Sequence, residues 1–237
     1  MRSLVVLPTY NEAENVLLLS REVLAQAEEI EVLVVDDASP DGTGALVLQE
    51  MEREPRLHLL EREGKLGLGT AYLAGFKAGL DQGFDRVLTM DCDFSHKPQY
   101  LPQLLAGMAD HDMMIGSRYV PGGGIANWPW HRKFLSAFAN IYTRILLRLS
   151  VKDCTSGYRC YSARVLETVD PFAVRASGYS FLEEMVWRVQ RHGFRIGETP
   201  ILFEDRIRGQ SKIDKNEIWR AAFHVLETAF RRSPVKR

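Results

Sequence analysis

The sequence predicts an α/β fold in which helices flank a mostly parallel central sheet. From residue 3 to 117, short β-branched runs alternate with longer segments of helical periodicity, which is the pattern of repeated βα units. Acidic and polar residues cluster just after three of the predicted strands. The chain of 237 residues is 46% hydrophobic, which is enough to fill the core of one large domain. We therefore expect a single α/β domain with a polar edge.

The element boundaries follow from these patterns. Strands are predicted over residues 3–8, 31–36, 57–61, 86–91 and 113–118. Helices are predicted over about 12–29, 43–53, 68–82, 98–109, 133–149 and 214–232. The polar residues that follow strands are Tyr10, Glu12, Asp36, Asp37, Asp41, Asp91 and Asp93. Because ligands bind at the carboxyl ends of the strands in open α/β sheets, we expect these side chains to line one crevice.

Charge and composition exclude several classes of protein. The 30 basic and 31 acidic residues leave a formal net charge of −1, so we expect no nucleic-acid partner. No segment reaches the ~18 apolar residues of a transmembrane helix, and the first residues, MRSLVVLPTYNE, lack the apolar length of a signal peptide. The three cysteines are an odd number without C-x-x-C spacing, which predicts buried thiols in a reduced, cytoplasmic protein.

The sequence changes character after residue 118. Residues 119–133 contain three consecutive glycines and two prolines, which predict a loop. The next predicted helix carries apolar residues at helical spacing, namely Phe134, Phe138, Ile141, Ile145 and Leu149. The basic residues beside them are Arg132, Lys133, Arg144 and Arg148. The last predicted helix repeats the pattern with Trp219, Phe223, Leu226 and Phe230, and the sequence ends in the basic RRSPVKR.

Two interpretations of the first amphipathic helix stay open. Its apolar residues, the adjacent basic residues and the tryptophans Trp128 and Trp130 are typical of a helix at an anionic lipid surface. An apolar helix face is equally typical of a helix that covers the sheet. The sequence alone does not separate these two environments.

The run LTMDCDFSH (88–96) places Asp91 and Asp93 at the end of a predicted strand. Side chains at i and i+2 of a strand point to the same face, while Cys92 points to the other. Two carboxylates at this spacing suit Mg²⁺ or Mn²⁺ that also binds phosphate oxygens. A solvated strand end or a helix N-cap pair explains the same residues. The acid and base of a glycoside hydrolase need carboxylates on separate elements, about 5–9 Å apart, and fit less well.

Two glycine-containing segments bear on nucleoside and phosphate binding. Asp36 and Asp37 precede the turn SPDG, where carboxylates either bind a base or ribose or cap the turn and the helix that follows. The glycines of GKLGLGTAY (64–72) match neither G-x-G-x-x-G nor the P-loop pattern. This mismatch argues against an oxidoreductase and against a phosphate hydrolase.

The loop DRIRGQSK (205–212) concentrates positive charge in Arg206, Arg208 and Lys212. Such a loop suits closure over a diphosphate, where it would neutralise the charge that develops on a leaving group. It equally suits a solvated basic loop. Arg118, at the end of its predicted strand, has the same two interpretations.

Seven motifs are spread over the chain from residue 4 to about 213. They are LPTYNEAENV, VVDDASPDGT, GLGTAYLAGF, DCDFSHKP, GSRYVPGGG, DCTSGYRCY and DRIRGQSK. In order and approximate spacing they resemble the motifs of the polyprenol-phosphate (dolichol-phosphate) mannose synthases, a branch of the family 2 glycosyltransferases. The P-T-Y-N-E, D-D-x-S and D-x-D motifs recur across that superfamily, whereas L-G-L-G-T-A-Y and D-R-x-x-G-x-S-K are more particular to this branch.

The resemblance implies a single GT-A-type, Rossmann-like catalytic domain over residues 1–213, with a nucleotide-sugar half (1–118) and an acceptor half (119–213). Residues 214–237 would then form an amphipathic helix and a basic tail without a transmembrane segment. Many members of the family end in transmembrane helices. This sequence resembles the members that lack one, which reach the bilayer directly or through a membrane-anchoring subunit.

The resemblance also implies roles for individual residues. The residues that match the nucleoside pocket are Pro8, Tyr10, Glu12, Val35 and Asp37. Those that match the metal and diphosphate site are Asp91, Asp93, the Cys92 backbone, Ser95 as a further metal ligand, and Arg206 and Lys212 on the diphosphate. Those that match the acceptor-phosphate site, and act with Asp93 in catalysis, are Arg118, Arg132 and Ser136. Alanine is more usual at the position of Cys92, and a backbone contact tolerates the change.

The reaction implied by the resemblance is transfer of mannose from GDP-mannose to a polyprenol monophosphate, with inversion and with Mg²⁺ or Mn²⁺ as cofactor. The protein would act as a peripheral protein on the cytoplasmic face of a membrane. The same carboxylates and basic loop would serve a glucosyltransferase that uses UDP-glucose. A non-catalytic nucleotide-sugar-binding subunit and a nucleotidyltransferase are weaker alternatives, because no site motif is eroded and no glycine-rich turn follows the first strand.

Overall fold

The computed structural model describes residues 1–174, 180–204 and 215–231, with only the helical backbone described for 215–220. The strands in this part of the chain are β1 (Ser3–Thr9), β2 (Ile30–Asp36), β3 (Leu57–Glu61), β4 (Arg86–Thr89), β5 (Met113–Ser117), β6 (Gly124–Ile125), β7 (Arg159–Ser162), β8 (Ile196–Pro200) and β9 (Leu202–Phe203). Seven of them form the central sheet in the order β3-β2-β1-β4-β7-β5-β8, and β6 pairs with β9 in a separate ribbon.

The central sheet is mostly parallel, as the alternating pattern predicts. Only β7 runs antiparallel to its neighbours, β4 and β5. The sequence analysis did not predict β7, because its four residues, RCYS, show neither alternation nor a β-branched run. Since β7 inserts between β4 and β5, residues from both predicted halves of the chain share one sheet.

Eight helices are described: α1 (Val16–Leu24), α2 (Thr43–Met51), α3 (Leu68–Asp81), α4 (Leu101–Gly107), α5 (Trp130–Leu147), α6 (Ala163–Val169), α7 (Ser180–Arg191) and α8 (Lys215–Phe230). The prediction of a helix from residue 12 was wrong at its start. Asn11 has a positive φ of 61°, and the Glu12 N–H donates to Thr43 Oγ1 (3.0 Å), so the chain turns here before α1 begins. The sequence analysis missed α6 and α7.

Helix α7 was not predicted, although apolar residues recur along it at helical spacing. Nine of its 12 residues are buried, and two of these are the acidic Glu183 and Glu184. The Glu184 carboxylate accepts hydrogen bonds from Arg188 and Arg231 and contacts His224 Nε2 (2.8 Å), so this buried charge is compensated. The apolar spacing therefore marks the helix, whereas the burial of its acidic residues depends on partners that are distant in sequence.

The boundaries predicted for α5 were also wrong. The helix begins at Trp130, inside the predicted loop, and ends at Leu147. Arg148 then adopts a left-handed conformation (φ 54°), which turns the chain and carries Leu149 into the core. Leu149 therefore leaves the apolar stripe to which the spacing assigned it. No helix among the described residues is both long and apolar enough to span a bilayer.

Helix α3 packs against the sheet through glycine. Gly79 faces β4, and a Cβ atom at this position would lie 2.6 Å from Val87 Cγ2. Gly75 faces β1, where a Cβ atom would overlap the Val6 side chain. Gly75 and Gly79 thus allow close approach of this helix to the two central strands.

We expect Gly79→Ala to lower the free energy of unfolding by up to about 2 kcal/mol. The overlap with Val87 costs about 1–3 kcal/mol and outweighs the gain of about 1 kcal/mol in helix propensity. Urea unfolding measures the change. Gly64→Ala, with no atom within 4 Å of the new Cβ, is the control. The double variant Gly79→Ala/Val87→Ala should lose less than the sum of the single variants, and full additivity would contradict the packing argument.

Candidate active site

The carboxyl ends of β1 and β2 form the first part of the polar edge. Thr9 Oγ1 donates to Asp36 Oδ1 (2.7 Å), and the Asp37 N–H donates to the Thr9 carbonyl (3.0 Å). Asp36 also accepts the N–H and hydroxyl of Ser39. Asp36 therefore holds the turn after β2, which is the capping role that the sequence left open.

Asp37 holds a second loop. Its buried carboxylate pairs with the Arg62 guanidinium and accepts the Leu66 N–H (3.1 Å). Arg62 Nη1 donates in turn to Thr70 Oγ1 (2.7 Å) at the start of α3. The segment between β3 and α3 is thereby tied to the strand edge.

The other predicted nucleoside-pocket residues lie at the same edge but differ in exposure. Val35 is fully buried, so only its backbone is available to a ligand. Pro8 is half-buried beside it in the sheet register. Tyr10 lies under the Lys65 ammonium, 4.7 Å from the ring centroid. Glu12 accepts a hydrogen bond from Asn15 Nδ2 (2.8 Å).

The Asp91–Ser95 loop begins after β4, which ends at Thr89 and not at residue 91 as predicted. The strand argument for a common face therefore does not apply to Asp91 and Asp93. Asp91 Oδ1 accepts the Tyr72 hydroxyl (3.2 Å), and about a third of the Asp91 side chain is exposed. Asp91 keeps a surface towards the crevice because the loop, and not strand alternation, directs it outward.

Asp93 is almost completely buried beside Asp91. Its Oδ1 accepts both the N–H (3.0 Å) and the hydroxyl (2.5 Å) of Ser95. Ser95 itself is buried, so it orients the Asp93 carboxylate. The Cys92 side chain points into the core, where burial, with smaller effects from Glu12 and the two aspartates, raises the pKa of its thiol. Cys92 therefore stays a neutral thiol, and only its backbone faces the loop.

His96 supports this loop and was missed in the sequence. Its Nδ1 accepts the Asp91 N–H (3.0 Å), and its ring stacks on Tyr158 at 5.1 Å. Burial lowers the pKa of His96, although the charges of Asp91 and Asp93 act in the opposite direction. The imidazole is thus neutral, with its proton on Nε2. The signal available in the sequence was the histidine three residues after the second aspartate.

Arg118, directly after β5, makes a bidentate ion pair with Asp153. Its Nε and Nη2 donate to the two carboxylate oxygens of Asp153 (2.7 Å each), and its N–H donates to Asp153 Oδ2 (2.9 Å). Both residues are buried. Burial raises the pKa of Asp153, but the charge and hydrogen bonds of Arg118 outweigh burial and hold this pKa below its ordinary value. Arg118 is therefore a fixed, oriented cation.

Helix α5 contributes the remaining predicted acceptor residues. Ser136 Oγ accepts the Tyr119 hydroxyl (2.8 Å), and the Arg132 guanidinium lies 3.8 Å above the Trp128 ring. Asn140, one turn after Ser136, is buried, and its Oδ1 accepts the Cys154 N–H (2.9 Å). The face of α5 that carries these residues therefore packs towards Arg118 and Asp153.

Arg159 is a fully buried cation that the sequence analysis did not single out. Its guanidinium donates to the carbonyls of Ser156 (2.7 Å), Cys154 (2.8 Å) and Leu182 (2.7 Å). These bonds join the segment after Asp153 to the start of α7. Arg159 thus fixes the loop that presents Asp153 to Arg118.

Two predicted site residues, Arg206 and Lys212, lie outside the described residues. Within residues 1–174, 180–204 and 215–231, no group of three or more histidine, cysteine, aspartate and glutamate side chains is arranged to hold a metal. Asp91 and Asp93 together supply two carboxylates. This number fits a hard cation that takes its remaining ligands from phosphate oxygens and water.

Two solved structures share this fold. Glucosyl-3-phosphoglycerate synthase from Mycobacterium tuberculosis, solved with Mn²⁺, UDP and glucosyl-3-phosphoglycerate, matches with a TM-score of 0.68 at 18% identity, over 100% of this chain and 81% of that one. The mannosyltransferase PcManGT from Pyrobaculum calidifontis, solved with GDP-Man and Mn²⁺, matches with a TM-score of 0.59 at 18% identity, over 96% of this chain and 72% of that one. The fold is thus of the GT-A type.

The chain belongs to glycosyl transferase family 2, whose family model matches residues 4–170, and it is therefore a glycosyltransferase. It is 47% identical to the polyprenol monophosphomannose synthase of Mycolicibacterium smegmatis, over 97% of this chain and 88% of that protein. It is 44% identical to the undecaprenyl-phosphate mannosyltransferase of Micrococcus luteus, over 95% of this chain and 93% of that protein. The resemblance found in the motifs is confirmed.

Asp153→Asn removes the charge that pairs with Arg118. We expect the free energy of unfolding at pH 7 to fall by about 3–5 kcal/mol, because a buried guanidinium loses its counter-charge. The pKa of Asp153 is lower in the folded protein than in the unfolded chain, so its stabilisation is present above a pH of about 4 and is lost as the pH falls below that value. Urea unfolding should show a smaller difference in free energy of unfolding between Asp153→Asn and the wild type at pH 3 than at pH 7.

The exposed pair of Lys77 and Asp81 supplies the control for this measurement. Asp81→Asn should change the free energy of unfolding by no more than about 0.5 kcal/mol, because the pair is solvated. An Asp153→Asn variant as stable as Asp81→Asn at pH 7 would refute the structural role assigned to the buried pair.

Proposed function

We propose that the protein transfers mannose from GDP-mannose to a polyprenol monophosphate, with inversion at the sugar carbon. The observation that carries the proposal is the near full-length identity of 47% and 44% to two enzymes named for this type of transfer. The geometry supports it, because a pair of carboxylates and a fixed guanidinium lie at the ends of β4 and β5. The carboxylates suit a divalent cation that binds the donor diphosphate, and the guanidinium suits the acceptor phosphate.

The donor is expected at the edge formed by β1, β2 and β4. The diphosphate of GDP-mannose and the buried carboxylates repel one another, so a divalent cation is needed between them. Asp91 and Asp93 would hold Mg²⁺ or Mn²⁺, which supplies positive charge to the departing diphosphate. The pocket residues Pro8, Tyr10 and Glu12, and the loop residues Arg206 and Lys212, stay predictions for nucleoside and diphosphate binding.

The acceptor phosphate is expected near Arg118, Arg132 and Ser136. Asp153 uses Nε and Nη2 of Arg118, and Nη1 is the guanidinium nitrogen that the described residues leave to a ligand. Arg132 is half-buried, and the Cζ atom of its guanidinium lies 3.8 Å from the centroid of the Trp128 ring. Two oriented guanidinium groups and one hydroxyl match the charge and the acceptor oxygens of a phosphate monoester.

The chemistry then reduces to alignment and charge compensation. The acceptor is already an anion, so no strong general base is required. Arg118 and Arg132 would lower the repulsion between the incoming phosphate and the donor diphosphate. The neutral His96 keeps the Asp91 backbone in place while the carboxylate faces the donor. Inversion follows from attack on the face of the sugar opposite the leaving diphosphate.

Asp93→Asn should abolish most of the transfer of radiolabelled mannose from GDP-mannose to undecaprenyl phosphate, by about 100-fold or more, because an amide is a poor ligand for a hard cation. A second readout does not depend on turnover. GDP with Mn²⁺ should raise the melting temperature of the wild type but not of Asp93→Asn, and UDP should raise it less than GDP.

Asp110→Asn, at an exposed position before β5, is the matched control. It should keep wild-type transfer and the wild-type response to GDP and Mn²⁺. Near-normal transfer by Asp93→Asn would remove the core of the proposal. A larger shift with UDP than with GDP would favour a glucosyltransferase that uses UDP-glucose.

Membrane docking is the second part of the proposal. Helices α5 and α8 lie side by side, with the Tyr142 hydroxyl donating to the Ala222 carbonyl (3.0 Å). Each leaves large apolar side chains exposed, and we call this set the α5–α8 apolar surface. Its members, between 52% and 83% exposed, are Phe134, Phe138, Ile141, Ile145, Phe223 and Phe230. An exposed apolar set of this size, with basic residues beside it on α5, is typical of a surface that docks on an anionic bilayer.

The two sequence interpretations of α5 therefore apply to opposite faces of one helix. The buried face, with Asn140, Thr143 and Leu147, packs on the protein. The other face is exposed and carries Phe138 and Ile145. Docking through this surface would bring the acceptor residues of α5 close to the headgroup region, where a polyprenol phosphate presents its charge. The cytoplasmic face of the membrane is the side we propose.

The double variant Phe138→Gln/Ile145→Gln should bind at least about tenfold less to phosphatidylcholine vesicles that contain phosphatidylglycerol, because it loses two apolar side chains from the docked surface. Co-sedimentation measures the bound fraction. The melting temperature should not change, since both side chains are exposed. Leu48→Gln, equally exposed on α2, is the control. Wild-type protein that does not sediment with the vesicles would indicate docking through an anchoring subunit instead.

A further inference from the structure

Thr155 is the one partly exposed residue in the segment from Asp153 to Tyr161. Every other residue of this segment is buried. Arg159 fixes this segment, because its guanidinium donates to the Cys154 and Ser156 carbonyls on either side of Thr155. A rigid loop thus presents one hydroxyl-bearing side chain to the crevice.

The hydroxyl of Thr155 is already saturated as an acceptor. Its Oγ1 accepts one hydrogen bond from Arg118 Nη2 (2.6 Å) and one from Asn140 Nδ2 (3.0 Å). A hydroxyl has two lone pairs and one proton, so both lone pairs are occupied. The group can therefore take part in a further hydrogen bond only as a donor.

Within the described residues, the proton of the Thr155 hydroxyl has only a weak hydrogen-bond acceptor. Thr155 Oγ1 lies 3.4 Å from Asp153 Oδ1, which is longer than the 2.5–3.0 Å of an O–H···O hydrogen bond. Asp153 Oδ1 is also engaged by Arg118 Nη2 (2.7 Å) and the Ser156 N–H (3.1 Å). A stronger acceptor, such as a phosphate oxygen next to Arg118, would take this proton.

The surroundings of Thr155 are the predicted acceptor residues. Arg118 contacts it directly. Asn140 bridges it to Ser136, because Asn140 Nδ2 donates both to Thr155 Oγ1 and to the Ser136 carbonyl (3.1 Å). The hydroxyl therefore lies between the guanidinium and the helix face proposed to hold one phosphate.

We infer that the Thr155 hydroxyl donates a hydrogen bond to the phosphate of the lipid acceptor and thereby helps the enzyme to select a phosphorylated lipid. The inference rests on the proposed function, because it assigns a ligand to the same site. Thr155 binds the acceptor only, and the donor site depends on Asp91 and Asp93 in the loop after β4. The contact is a charge-assisted hydrogen bond from a pre-oriented donor.

Thr155→Val removes the hydroxyl, as donor and as acceptor, and keeps the shape, so the KM for undecaprenyl phosphate should rise about tenfold or more while the KM for GDP-mannose stays within about twofold. Thr155→Ser keeps the hydroxyl and should stay close to the wild type in both. Thr168→Val, which removes a hydroxyl bonded to the Arg164 carbonyl on the exposed face of α6, is the matched control. Calorimetric titration with farnesyl phosphate and with farnesol should show that Thr155→Val weakens binding of the phosphate only.

Two results would overturn the inference. Thr155→Val could bind farnesyl phosphate and use undecaprenyl phosphate as well as the wild type does. Alternatively, it could raise both KM values together with a lower melting temperature, which would make the hydroxyl only a link between Arg118 and Asn140. The titration does not depend on turnover, so a wild type that binds farnesyl phosphate without transferring mannose would reject the proposed function and leave the Thr155 test intact.

Discussion

The buried pair of Arg118 and Asp153 is the interaction on which the arrangement of the candidate acceptor site depends. Asp153 is held from several sides: Arg118 binds its carboxylate, Glu198 on β8 accepts its N–H (2.9 Å), and the following residue, Cys154, binds Asn140 on α5. Strand β8 and helix α5 therefore bind the backbone of the segment whose carboxylate binds Arg118 at the end of β5. Two desolvated charges are stable together and costly apart, so the Asp153 carboxylate restricts the direction of Arg118.

The edge of the sheet also keeps opposite charges apart. The edge of the sheet gathers the carboxylates of Asp91 and Asp93 on one side and Arg118 on the other, with the neutral His96 between the loops. Phe203 on β9 lies against both His96 and Arg118, at 5.5 Å from each. In the proposed transfer, this separation would place a metal ion at the donor diphosphate and the fixed guanidinium of Arg118 at the acceptor phosphate.

The sequence predicted the parallel βα units well because their strands are buried, β-branched runs whose helices have a clear period. It failed where tertiary contacts override local pattern. Strand β7 is specified by its neighbours and not by its four residues, and α7 buries Glu183 and Glu184, which local reading treats as surface. At the site, the motifs predicted Asp91, Asp93 and Arg118. Asp153 and Thr155 were not predicted, because they act through bonds to Arg118, which is distant in sequence. The bond from the Asp91 N–H to His96 depends on how the loop turns, and no local pattern specifies that turn.

The most direct test of the account is the structure of the product. Wild-type protein incubated with GDP-mannose, undecaprenyl phosphate and Mn²⁺ should release GDP and form a lipid-linked mannosyl phosphate, and nuclear magnetic resonance should identify the β anomer expected from inversion of the α-linked donor. Formation of the α anomer would contradict inversion. Transfer of glucose from UDP-glucose in place of mannose, or release of free mannose without lipid product, would contradict the assignment of donor and acceptor.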